Sequence, residues 1–257
     1  MIYSIHIRLL NLESNVATAQ SLFKKNKHQE TIETCKKILA SDSNSIEAIK
    51  LIAKSFLATR KIDEARFYLN KALTINPHDY EVMKDLGNTY QAVGDLNKAK
   101  NYYKKAININ SNYALALTNL GSIELNIGDK KNALSLLKKA TESDPKSAPA
   151  WSNLGNGLFQ LGKLEEAEIS CRKAIDLNPN IFNFHFLLST ILIRQEKLQE
   201  AEKHLRKTTE INPNLFQAHL NLGAILKDLG KSQEAEISTR KAIDLNPLVF
   251  NSHFLLS

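Results

Sequence analysis

Cysteine is nearly absent, with two in 257 residues, so the chain is no disulfide scaffold. Nine glycines and six prolines are too few for a collagen-like or low-complexity chain. Long apolar runs are missing as well. The opening MIYSIHIRLLNLES has a short apolar stretch, but no basic segment before it and no small-residue cleavage site, and nothing nears the ~20 apolar residues of a membrane span. The expectation is a cytoplasmic protein without membrane partners. Charge of one sign is not gathered anywhere: the net charge is +7 and the pI about 9.2, yet Lys and Arg are scattered among acidic residues. With no basic arm or stripe to track phosphates, nucleic acid is not an expected partner. What is present, 43% apolar and 24% charged residues, is the composition of a folded globular chain.

Those few special residues recur on a grid. Glu166 to Ser189, EAEISCRKAIDLNPNIFNFHFLLS, returns at Glu234 to Ser257 as EAEISTRKAIDLNPLVFNSHFLLS, an offset of 68 residues. Half that offset, 34 residues, organises the chain when units are numbered from Ile46, Tyr80, Ala114, Ala148, Phe182 and Phe216. Gly87, Gly121, Gly155 and Gly223 stand at position 8, Gly94, Gly128, Gly162 and Gly230 at position 15, and only Gly157 lies elsewhere. Position 15 is where a first helix ends in a left-handed residue. Pro77, Pro145, Pro179, Pro213 and Pro247 stand at position 32 after Asn or Asp, closing a second helix, while Pro149 at position 2 suits a helix first turn. Small residues recur at position 20 (Ala65, Ala99, Ala133, Ala167, Ala201, Ala235) and at position 27 (Ala72, Ala106, Ala140, Ala174, Thr208, Ala242), where two helices approach.

Between these marks the apolar spacing is helical, as in Trp151, Leu154, Leu158 and Leu161, then Leu164, Ala167, Cys171, Ala174 and Leu177. Each unit therefore reads as helix A, a tight turn, helix B and a second turn, with no strand. The pattern W-x2-L-G at Trp151 to Gly155, followed by Ala167 and Pro179, closely resembles the tetratricopeptide repeat family. The resemblance implies an all-α fold, a right-handed α-solenoid of tandem helix-turn-helix units stacked into one continuous domain. The expected units are 46–79, 80–113, 114–147, 148–181, 182–215 and 216–249. A degenerate capping unit is expected at 12–45, where Thr31 replaces the position-20 Ala and Ser43 the Pro, with a tail or partial helix at 1–11.

The duplicated block differs only at Cys171/Thr239, Asn180/Leu248, Ile181/Val249 and Phe184/Ser252. Ser257 falls at position 8 of a further unit begun at 250–257, which would leave Phe254, Leu255 and Leu256 on an uncapped edge. The expectation is a fragment of a longer repeat protein. Cys35 and Cys171 share position 24, four repeats apart, roughly 40 Å for pairs stacking at about 10 Å and far beyond the ~7 Å limit of a disulfide. They read as reduced packing residues.

Catalytic constellations are poor. Gly157 to Lys163 imitates the start of a phosphate-binding loop, but Leu164 replaces the magnesium-holding hydroxyl and no strand precedes it. His185, His219 and His253 recur at position 4, on rungs ~10 Å apart that cannot share a metal needing ligands at ~2 Å. Acidic pairs such as Glu165-Glu166 and Asp63-Glu64 begin second helices, where the helix dipole favours them. No enzyme, cofactor or metal is expected.

Binding is the better hypothesis. In the family that the sequence resembles, helices A line a concave groove, and positions 2, 5, 6, 9, 12 and 13 face a peptide ligand. Those positions carry Lys84, Asp85, Asn88 and Gln91; Thr118, Asn119, Ser122 and Asn126; Ser152, Asn153, Asn156 and Gln160; Arg194; and Asn221, Lys227 and Asp228. Side-chain amides suit the task because each offers donors and an acceptor to a peptide backbone. Asn119, Asn153 and Asn221 at position 6 resemble part of the asparagine ladder in O-linked sugar transferase arrays, interrupted by Leu187 and begun differently by Asp85. Lys84, Asn88 and Asn119 also match three residues of the carboxylate clamp of chaperone-binding members, but Pro149 and Asn153 occupy its next two places, reducing the charge available to a carboxylate. The expectation is a non-catalytic scaffold for a peptide or protein partner. Its alternatives are the substrate-recruiting array of a longer bacterial sugar, sulfuryl or methyl transferase, or a structural array that self-associates through its exposed end.

Overall fold

The computed structural model describes residues 14–247, and every regular element among them is helix. In chain order these are α1 (14–24), α2 (His28–Ser41), α3 (Ile46–Ala58), α4 (Ile62–Ile75), α5 (Tyr80–Ala92), α6 (Leu96–Ile109) and α7 (Ala114–Ile127), then α8 (Lys130–Ser143), α9 (Ala148–Gln160), α10 (Leu164–Leu177), α11 (Phe182–Arg194), α12 (Leu198–Ile211), α13 (Phe216–Asp228) and α14 (Ser232–Leu245). The expected tail at 1–11, the further unit at 250–257 with its apolar edge, and His253 lie outside the described residues.

Each turn inside a helix pair is built the same way. Gly94, Gly128, Gly162 and Gly230 adopt φ of 79°, 97°, 74° and 75°, and Asn26, Arg60 and Glu196 adopt 58°, 60° and 60° at the equivalent place. The left-handed conformation is thus a property of position 15, imposed even on side chains for which it is costly. Between pairs, Asx turns close the second helix. The Oδ1 atoms of Asn76, Asn110 and Asp144 accept from the amides of His78, Asn112 and Lys146 at 3.2, 3.1 and 3.1 Å, the intervening residue being Pro77, Ser111 and Pro145, so the side chain holds the turn with or without a proline.

The chain forms two compact units, one ending at Ala116 and the other beginning at Leu117. In the first, α2 packs on α3, α3 on α4, α4 on α5 and α5 on α6, around cores that include Ile49, Ile52, Leu69 and Leu86. In the second, successive helices pack from α8 through α14, and α9 also touches α11. Its core runs through Leu137, Leu158, Leu188, Ile191, Leu192 and Leu205, and each such side chain contributes roughly 1.5–3 kcal/mol by leaving water. Each unit is an α-solenoid of helix-turn-helix repeats in which neighbours, not distant segments, supply the burial.

Small residues sit where the helices of a pair cross. Ala65, Ala99, Ala133, Ala167 and Ala201 are fully buried. A second close approach joins position 8 to position 24: a Cβ added at Gly155 would lie 2.5 Å from Cys171 Sγ and 3.3 Å from the Ala167 carbonyl. Cys35 and Cys171 are both buried and unbonded. Burial pushes their thiols up to about 11 and about 12, so both remain protonated packing groups. Gly157 to Lys163 forms the end of α9 and the turn into α10.

Candidate binding surfaces of the two units

In the first unit the expected groove residues lie on α5 and are already engaged with their neighbours. Lys84 is paired with Asp85, whose side chain is 7% exposed. A cation neutralised by its own neighbour is a poor grip for a carboxylate. Asn88 and Gln91, both half-buried, meet the hydroxyl of Tyr103, whose oxygen lies 2.7 Å from both Asn88 Oδ1 and Gln91 Oε1 and whose single hydrogen the two acceptors share. Tyr103 reaches them because Gly87 offers its ring a surface without a Cβ.

A cavity of about 350 Å³ opens in the same unit beside α3, lined in part by Glu47, Lys50, Leu51, Lys54 and Asp79. Lys50 spans it, donating to Asp79 at 2.9 Å and to Glu81 at 3.2 Å. Although burial opposes its charge, these two carboxylates raise the Lys50 pKa above the usual lysine value. The four α3 residues occupy positions 2, 5, 6 and 9 of their unit, so the register that selected Lys84 and Asn88 would have found them too.

The second unit holds the remaining expected residues, on α7, α9, α11 and α13. Thr118 is buried; Asn119, Ser122, Ser152, Asn153, Asn156, Gln160 and Asn221 are half-buried; Asn126, Arg194, Lys227 and Asp228 are exposed. The side-chain amides of Asn153, Asn156, Gln160 and Asn221 make no hydrogen bond with any described residue. Among the described residues Arg194, Lys227 and Asp228 likewise form no ion pair. The opposite holds on the second helices of the same unit. There Glu168 accepts from Arg172 and Lys197 at 2.8 Å each, and Glu202 from Arg206 at 2.9 Å and Lys231 at 2.7 Å.

Arg194, Asn221 and Asp228 converge on one cavity of about 290 Å³ between α11 and α13. Its walls are Thr190, Ile193, Leu198, Ala224 and Ile225. Of this lining the sequence pointed to Arg194, Asn221 and Asp228 but not to Thr190 or the apolar members, because Ile193 and Ala224 at positions 12 and 9 look like ordinary packing residues.

The position-4 residues have a structural task. Trp151 Nε1 donates to the Pro145 carbonyl at 3.0 Å, and the Nε2 atoms of His185 and His219 meet the Pro179 and Pro213 carbonyls at 2.9 Å each. A carbonyl can only accept, so each ring carries its hydrogen there and ties a helix A to the proline turn before it. His185 Nδ1 faces His204 Nδ1 at 3.0 Å. Among the described residues no group of three or more His, Cys, Asp or Glu side chains is arranged to hold a metal, and no helix is long and apolar enough to cross a membrane.

Family models described as tetratricopeptide repeat match residues 56–120, 90–154, 148–181, 182–215 and 216–247. One described as anaphase-promoting complex, cyclosome, subunit 3 matches residues 8–72. Comparison with curated proteins finds no match. Among solved structures, pilF of Pseudomonas aeruginosa superposes with a TM-score of 0.75 at 19% identity, covering 82% of this chain and 96% of that one. The APC/C hetero-tetramer Cut9-Hcn1 gives 0.80 at 16% identity, covering 98% of this chain and 50% of that one. YrrB, described as a TPR protein with an unusual peptide-binding site, gives 0.60 at 24% identity, covering 72% and 96%. At such identities the likeness establishes the fold.

Proposed function

The chain belongs to the tetratricopeptide repeat family, and from that premise we propose that it is a non-catalytic scaffold that binds an extended segment of a partner protein along its first helices. The observation that carries the reading is the set of unused polar groups in the second unit. Asn153, Asn156 and Asn221 are half-buried amides without partners among the described residues, although a polar group held partly out of water usually finds one. An extended peptide supplies what they lack, since its backbone presents a donor and an acceptor at every residue whatever its side chains.

YrrB, whose description names a peptide-binding site, is compatible with this reading through its fold alone. In the first unit the Lys84–Asp85 pair and the Tyr103-held amides form a polar face already arranged within the protein, and we assign the principal ligand contacts to the second unit.

The test is an array of synthetic extended peptides probed with the full chain and with an Asn153→Ala, Asn156→Ala variant. Peptides bound by the wild type are expected to lose about tenfold or more in affinity with the variant, each lost amide being worth roughly 0.5–1.5 kcal/mol. The melting temperature should be unchanged, because neither amide bonds to the protein. Equal affinity in the two proteins would remove the groove reading.

A further inference from the structure

Within that peptide-binding reading, on which this step rests, we infer that the second unit selects a ligand with a large apolar residue flanked by an acidic residue on one side and a basic residue on the other. The apolar residue enters the cavity between α11 and α13, the acid meets Arg194 and the base meets Asp228.

Three observations combine. The cavity is walled by Ile193, Leu198, Ala224 and Ile225 and has a volume of about 290 Å³, just below the ~300–1,000 Å³ of small-molecule sites. Its size suits one large side chain, whose removal from water would supply most of the affinity. Arg194 and Asp228, which also line it, are exposed and have no ionic partner among the described residues. Unlike the paired charges of the second helices, they are available to a ligand. Asn221, from the same cavity, can pair with the ligand backbone.

The register sets the spacing. Arg194 and Asp228 both stand at position 13 of their repeats, on consecutive first helices, so they lie about 10 Å apart with the cavity between them. In an extended chain alternate side chains share a face, and each residue advances about 3.3 Å. An acid, an apolar residue and a base at i, i+2 and i+4 therefore face the protein together across about 13 Å, a span that the long arginine side chain accommodates. Opposite charges at the two ends also fix the direction in which the peptide lies, since the reversed chain would place like charges together.

The experiment is a selection from displayed random dodecapeptides on the immobilised full chain, followed by fluorescence anisotropy with the enriched peptides. Enrichment of acid-x-apolar-x-base sequences is expected. Replacing the central residue by Ala should weaken binding about tenfold or more. The exposed double substitution Arg194→Glu with Asp228→Lys should reverse the preference to base-x-apolar-x-acid, while Ala224→Trp, which fills the cavity, should abolish binding of both. Should Ala224→Trp melt early, the charge-reversal variant still decides, because it leaves the core untouched. Peptides that depend on Asn153 and Asn156 but ignore both cavity variants would overturn this inference and leave the groove reading standing. If no peptide is enriched, both fall.

Discussion

Lys197 Nζ donates to Glu168 Oε2 at 2.8 Å, joining α10 to the residue that precedes α12. Arg172 completes the link, donating to Glu168 at 2.8 Å and to Glu200 at 2.6 Å. Burial alone would raise the Glu168 carboxyl, but hydrogen bonds from Lys197, Arg172 and Gln195 outweigh it and hold it at about 2. Glu168→Gln is expected to cost about 1.5–3 kcal/mol at neutral pH, the range for a hydrogen bond to a charged group. The folded pKa is lowered, so the contribution is present above the ordinary value of 4.5 and is lost as pH falls through about 2. Denaturant titrations of the two proteins should converge over that window. A gap that persists in acid would mean that packing, not charge, holds the link.

Glu196 occupies the left-handed turn position with φ of 60°, where most equivalent residues are glycine. A side chain there costs roughly 1–2 kcal/mol, whereas glycine adds some unfolded-state entropy. Glu196→Gly should therefore raise stability by about 0.5–1 kcal/mol, read as a higher denaturation midpoint. A lower midpoint would show that Glu196 makes contacts that outweigh its strained backbone.

Gly155 and Cys171 occupy complementary space, since a Cβ on the glycine would stand 2.5 Å from the sulfur. Gly155→Ala should cost about 1–3 kcal/mol by overpacking. In a Cys171→Ala background the same substitution should cost clearly less, because the sulfur has gone. Equal costs in the two backgrounds would place the clash elsewhere, against the Ala167 carbonyl 3.3 Å away.

The helices and their turns were legible because glycine, proline and alanine carry backbone and close-packing requirements that recur at fixed spacing. Even Arg60 and Glu196, which break the glycine pattern, obey the geometry that the pattern implies. The division at Ala116 and Leu117 was not legible, as the 34-residue register passes through it without a change. At the candidate surfaces, residue type and register placed Arg194, Asn221 and Asp228 together but said nothing about partners. Lys84 and Asp85 look as available in sequence as Arg194 and Asp228. Only the three-dimensional arrangement shows that the first two satisfy each other. Tyr103 was hidden for a related reason: it stands at a packing position, and its hydroxyl crosses to Asn88 and Gln91 only because Gly87 lets the ring through.

The His185–His204 pair predicts a second, higher window of acid sensitivity. Because His185 Nε2 is held at 2.9 Å by the Pro179 carbonyl, its Nδ1 presents a lone pair, and His204 Nδ1–H donates to it across 3.0 Å. Burial first, then the adjacent His185 ring and the charges of Arg172 and Lys203, with only Glu200 opposing, hold His204 down at about 4. Above the ordinary value of 6.5 neither folded nor unfolded chain protonates His204, so the stabilising contribution is complete there. Between 6.5 and about 4 the unfolded chain accepts a proton that the folded chain refuses, and stability falls through that interval. The loss should be on the order of 1–3 kcal/mol. It is distinguishable from that of Glu168, which sets in only below 4.5. His204→Gln preserves an N–H that can reach His185 but has no titrating group. Unfolding free energies of the two proteins between about pH 7 and pH 4 should diverge, with the wild type losing more. Parallel curves would mean that the folded protein accommodates the proton, and the neutral pairing of the two rings would have to be abandoned.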